Sequence, residues 1–175
     1  MLLADKKKQE NISEYIIYMY QTELLIRNFE FDIEKIQDHV LKNIPAELLD
    51  DPGRLALKNW YISTIDTMKS EKLTSEGHLS EVQEIVQELS NLSLNLQVEN
   101  EEYAGVFGSA RPYIRASIQT SGGLITDPIQ ACLNGVFGFL LSRMNDKKID
   151  EDTQKAVDSF GNVLSLLSYH YGNPK

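Results

Sequence analysis

The sequence predicts a single-domain, all-α bundle of about six to seven helices, one of them kinked around Pro112. Three observations predict it. Apolar residues recur at intervals of three and four through nearly every segment. The gaps between those segments hold the residues that stop and start helices, Pro, Gly, Asp, Asn and Ser. The 175 residues, 42% hydrophobic and 25% charged, have globular composition and suffice for one sizeable core. No repeat, low-complexity tract or composition break divides residues 1–175, so one domain is expected, fraying only at 1–4 and 171–175.

The first helix is expected from near Asp5 to about Asn28. On a helical wheel Glu10, Glu14, Gln21 and Asn28 form a solvated edge, while Tyr15, Ile16, Met19, Ile26 and Phe29 spread over the opposite side. Glu23 falls inside the apolar arc and Arg27 at its margin, one turn on, the favourable order for an ion pair. Two readings are open: a structural pair that also holds a neighbouring helix, or a polar pocket for a small ligand. After a bend at FEFD, Ile33, Ile36 and Val40 mark a short second helix, stopped at Asn43-Ile44-Pro45. Residues 44–53 read as a connection, with Pro52 and Gly53 as punctuation.

A third helix spans roughly Arg54 to Lys72, with Leu57, Tyr61, Ile65 and Met68 as its stripe and Trp60 half-buried at the edge. The connection SEKLTSEGHLS follows, and Ser80 is the candidate cap of a fourth helix from about Leu79 to Val98. Leu92, Leu94, Leu96 and Val98 alternate with polar residues in a strand-like period, but no partner strand is signalled, so helix is kept. Seven glutamates and no lysine or arginine lie between Lys72 and Arg111. Glu81, Glu84 and Glu88 share one face, either a solvated surface or a dock for a basic partner.

A fifth helix starts near Glu101, with Tyr103, Phe107, Ala110, Ile114 and Ser117 on one side. Pro112 should kink it or break it in two. Arg111 and Arg115, one turn apart on its flank, could grip a carboxylate or phosphate, or pair with surface glutamates. Thr126 or Asp127 with Pro128 and Gln130 forms a strong start for a sixth helix, to about Met144, the most apolar in the chain. Its Gly135 and Gly138 should let another helix approach closely. Asp150 or Asp152 caps a seventh helix ending near Tyr169.

These patterns also limit the chemistry. A net charge of -9 disfavours nucleic acid. The longest mostly apolar segment, Ile129 to Leu141, is too short to span a membrane. The lone Cys132 sits in an apolar run and reads as core. His39, His78 and His170 lie on separate segments without metal-ligand spacing, so neither metal nor cofactor is expected. No nucleophile elbow, P-loop or dinucleotide fingerprint occurs.

Glu10-Asn11-Ile12, Glu14-Tyr15-Ile16, Gln21-x-Glu23 and Ile26-Arg27, within the opening run KKKQENISEYIIYMYQTELLIRNF, resemble the start of a bacterial family known only as a domain of unknown function. The resemblance implies a small all-helical protein of about this length, from the cytoplasm of mainly gut-type anaerobes. It supplies no catalytic residues. The leading expectation is therefore a non-enzymatic cytoplasmic bundle that binds another protein or a second copy of itself. The alternative is a bundle binding a small molecule or anion, an enzyme included, through Glu23, Arg27, Arg111 and Arg115 converging on one cavity.

Overall fold

A computed structural model describes residues 1–175 and contains helices only. There are eight: α1 (Leu3–Glu10), α2 (Ile12–Asn28), α3 (Ile33–His39), α4 (Asp51–Ser70), α5 (Ser80–Glu99), α6 (Glu101–Thr120), α7 (Pro128–Met144) and α8 (Glu151–Gly172), with a 3₁₀ turn at Leu41–Asn43. The count exceeds the expected six to seven because the opening helix divides at Asn11. Asn11 is extended (φ -155°, ψ 105°), and its side chain accepts from Glu14 N at 3.2 Å. It closes α1 through its own N–H to Lys7 O while capping α2, so one residue turns the chain. Asn100 repeats the device between α5 and α6, its side chain accepting from Tyr103 N at 2.9 Å.

Other boundaries move for equally local reasons. Asp50 accepts from Gly53 N at 2.8 Å, so Pro52 lies in the first turn of α4, where its missing N–H costs nothing. The stretch 92–98 is helix throughout. Its strand-like alternation arises because Leu96 is buried while Leu94 and Val98, one turn apart, face water. α6 continues through Pro112 instead of dividing. The proline forfeits the bond to the carbonyl of Gly108, but both residues are exposed and water can serve that carbonyl. Of the alternatives the sequence left open, Asp127 and not Thr126 caps α7, and Asp150 and not Asp152 caps α8. At the two ends of the chain, α1 begins at Leu3, with Ala4 buried, and α8 runs to Gly172.

α2, α4 and α7 end alike, in a motif that no glycine announced. Phe31 N bonds Ile26 O, Leu73 N bonds Met68 O, and Lys147 N bonds Ser142 O, each at 2.9 Å. Glu30, Lys72 and Asp146 sit at positive φ just before these bonds, where glycine is the usual choice.

One apolar cluster joins α2 and α5 to α8. α8 packs chiefly on α6 and α7, and α2 lies across α5, α7 and α8. α4 pairs with α3 and meets α2 through the stacked rings of Tyr18 and Trp60, centroids 6.0 Å apart. A polar stitch fixes the register of α2 on α8: Ser168 Oγ accepts from Ser13 N at 3.2 Å and lies 2.6 Å from Ser13 Oγ. Of the two glycines expected to admit a helix, only Gly135 does. A Cβ there would sit 2.5 Å from the Phe160 ring, whereas nothing lies within 4 Å of one at Gly138. Gly135→Ala should therefore cost about 1–3 kcal/mol through overpacking, and Gly138→Ala should gain about 0.5–1 kcal/mol, both measured by denaturant unfolding.

Burial pushes the Tyr61 and Tyr103 hydroxyls and the Cys132 thiol up to about 12. Because the folded values lie above the unfolded ones, this stability is complete below the ordinary values, 9.0 for the thiol and 10.0 for the tyrosines, and is lost as pH rises from there towards 12. Circular dichroism should show unfolding concentrated in that window. Tyrosine ionisation completed at ordinary values, with the fold intact, would contradict it.

Candidate functional site

The carboxylate of Glu23 is the most deeply buried charged group of the chain, 0% exposed. Its position inside the apolar arc of α2 was legible; its partner was not. Oε2 lies 2.7 Å from His78 Nδ1 and Oε1 accepts from Leu79 N at 2.9 Å, so both oxygens serve the α4–α5 connection and neither serves Arg27. A carboxylate accepts, so the imidazole donates from Nδ1. Arg27 works on the same connection independently: Nε donates to Leu73 O at 3.0 Å and an Nη to Gly77 O at 2.6 Å. The expected Glu23–Arg27 pair is thus replaced by two parallel grips on residues 73–79. Gly77 adopts φ +91°, and a Cβ there would meet Leu73 at 2.9 Å, which lets the chain fold tightly beneath Arg27.

The grip has a second purpose. Leu79, the N-cap of α5, offers no side-chain cap, and the expected cap, Ser80, does not act as one. Carboxylates from elsewhere do. Glu23 takes the N–H of Leu79, and Glu71 takes the N–H of Ser80 at 2.7 Å together with its hydroxyl. Two acidic groups at a helix N-terminus satisfy orphan donors and oppose the positive end of the dipole.

His78 is also clasped by its ring, which stacks on Tyr20 with centroids 3.8 Å apart and planes at 19°. Tyr20 Oη accepts from Gln130 Nε2 at 2.9 Å, and the same amide donates to Asn134 Oδ1 at 2.8 Å. Burial pushes Tyr20 up to about 12 against the opposing pull of Gln130 and Gln83; the buried Nε2 of Gln83 makes no bond of good geometry. The polar core therefore runs from the α4–α5 connection through α2 to α7.

Chemically, Glu23 and His78 form a carboxylate–imidazole dyad, the orienting half of a general base. No hydroxyl or thiol is bonded to the other ring nitrogen, and the two hollows that α2 helps to line, of about 430 and 180 Å³, are not lined by Glu23, Arg27 or His78. Its bonding is that of a lock. The second predicted pair lies elsewhere. Arg111 and Arg115 are exposed on α6, which packs on α5, α7 and α8, and Arg111 covers the Phe107 ring at 5.4 Å. The four candidate residues do not converge. In the sequence His78 shows no metal-ligand spacing, and its one faint signal is Gly77-His78 immediately before a helix start that lacks an effective cap.

Glu23→Leu should cost about 3–5 kcal/mol, because it strands both His78 and the Leu79 N–H, whereas Arg27→Met should cost about 1–2 kcal/mol. Hydrogen exchange should show residues 73–82 losing protection first in both variants. Uniform loss across all helices would contradict the lock.

A family model described as Domain of unknown function (DUF4924) matches residues 1–175. Comparison with the curated proteins gives no significant match, and neither does comparison with the solved structures. The chain belongs to that domain-of-unknown-function family, as the residues of its opening run imply.

Proposed function

For this member of the family we propose a non-enzymatic role in the bacterial cytoplasm: a helical bundle that acts by binding protein, in the first place a second copy of itself. One observation carries the reading. α7, the most apolar helix, is sealed over Ile129, Ala131, Cys132 and Leu133, but Val136, Phe137, Phe139, Leu140 and Leu141 stay partly exposed and Met144 is 71% exposed. Beside it a groove of about 430 Å³ runs between α2, α7 and α8, with Ile17, Tyr18, Val136, Leu140 and Leu164 in its walls. Apolar surface gathered on one helix end costs roughly 25 cal/mol per Å² while it faces water, and a partner removes that cost. A twofold arrangement covers both copies at once, which is why self-association is the first expectation.

The internal commitments of Glu23, Arg27 and His78 support a structural role for the polar core, leaving the outer face of α7 as the working surface. No helix is long and apolar enough to cross a membrane, so α7 is not offered to a bilayer as a span.

Light scattering after size exclusion, from about 1 to 200 µM, should report twice the chain mass at the upper end. Leu140→Gln combined with Met144→Glu should return a single-chain mass with the helical spectrum intact. A single-chain mass for the unaltered protein at every concentration would sink the self-association reading.

A further inference from the structure

At the end of the molecule away from α7–α8 contacts, α3, the 3₁₀ turn and the start of α4 enclose a hollow of about 230 Å³. Six residues line it, Gln37, Leu41, Lys42, Arg54, Leu55 and Lys58, of which three are cations and none is acidic. The lining is thus cationic in a chain with 26 acidic against 17 basic residues, with Asp38 and Glu34 just outside it as counter-charges. We infer that this hollow binds a phosphoryl group, gripped by Lys42, Arg54 and Lys58.

Arg54 is the built part of the site. Its two Nη atoms donate to the carbonyls of Leu41 and Ile44, which fixes the guanidinium plane. Those bonds use two of its five N–H donors, leaving three on a guanidinium that is held in place and can donate to phosphate oxygens. Its half-buried setting strengthens any charge-assisted bond it makes. The lysines supply mobile charge. Lys42 is paired with Asp38 at 2.5 Å and Lys58 with Glu34 at 3.2 Å, and both carboxylates lie on the exposed side of α3, 55% and 68% open to solvent. With the carboxylate side of each pair open to water, these pairs contribute little, and a dianion can take the place of a carboxylate. Lys58 also donates to Gln37 Oε1, an interaction that keeps its ammonium at the hollow.

The ligand can be free phosphate or the phosphorylated end of a larger molecule. Leu55, 61% exposed on the rim, offers an apolar rest for the body of the second kind. Neither form depends on the α7 surface, so failure of one proposal leaves the other standing.

Isothermal titration of the full chain with inorganic phosphate and with phenyl phosphate, at constant ionic strength, tests the site. Saturable binding is expected for both. Phenyl phosphate binding tighter assigns the site to phosphorylated metabolites, and equal affinity assigns it to free phosphate. Lys42→Met combined with Lys58→Met should weaken either ligand by about tenfold or more while the melting temperature stays within a few degrees. Arg54→Lys, which keeps charge but loses the fork, should weaken it further than either lysine change alone. No saturable heat up to about 10 mM, or unchanged affinity in the double lysine variant, would overturn the proposal.

Discussion

A single buried carboxylate imposes its requirements on the rest of this structure. Removing Glu23 from water carries a penalty of several kcal/mol unless its oxygens are bonded, so α2 cannot pack on its neighbours until something supplies donors. The supply comes from 55 and 56 residues away, as the His78 imidazole and the Leu79 N–H. The α4–α5 connection is therefore part of the core. Its position on α2 determines where α5 begins, and α5 in turn meets α6, α7 and α8. Tyr20 stacked on His78 and bonded to Gln130 extends the same constraint to α7. Oily surfaces slide with little cost, whereas a buried bonded carboxylate permits only one register.

Arginine is used here in an equally consistent way. Arg27 closes the α4–α5 connection through the carbonyls of Leu73 and Gly77, and Arg54 closes the segment before α4 through those of Leu41 and Ile44. Each guanidinium ties down two carbonyls of an irregular stretch, a task for which its planar fork suits it better than a lysine. The difference lies in what surrounds them. Arg27 stands beside the Glu23–His78 contact on the same connection, while Arg54 shares a hollow with two further cations.

The helices, their order and most of their buried stripes were legible in the sequence because 3.6-residue periodicity is a local property. Leu57 excepted, the stripe expected for α4 is buried at Tyr61, Ile65 and Met68, and the caps Asp127 and Asp150 act as anticipated. What failed locally failed for identifiable reasons. Asn11 in mid-pattern gave no break signal stronger than the apolar run around it, so one helix was expected where two exist. Lys72 and Asp146 occupy conformations normally advertised by glycine. Of the candidate site, only the burial of Glu23 could be read. The i, i+4 spacing to Arg27 suggested a pair on one helix, but both side chains found better partners in a neighbouring loop.

By itself, then, the sequence determined an all-helical fold, its apolar faces, the aspartate caps of α7 and α8, and an over-apolar α7, since each follows from residues within a turn or two of one another. Tertiary structure alone decided which donors reach Glu23, which glycine meets Phe160, and which cations gather around Arg54. It also decided that the second half of α7 lies only partly covered. These depend on contacts between residues far apart in the chain, and no periodicity encodes which distant side chain arrives at a given place.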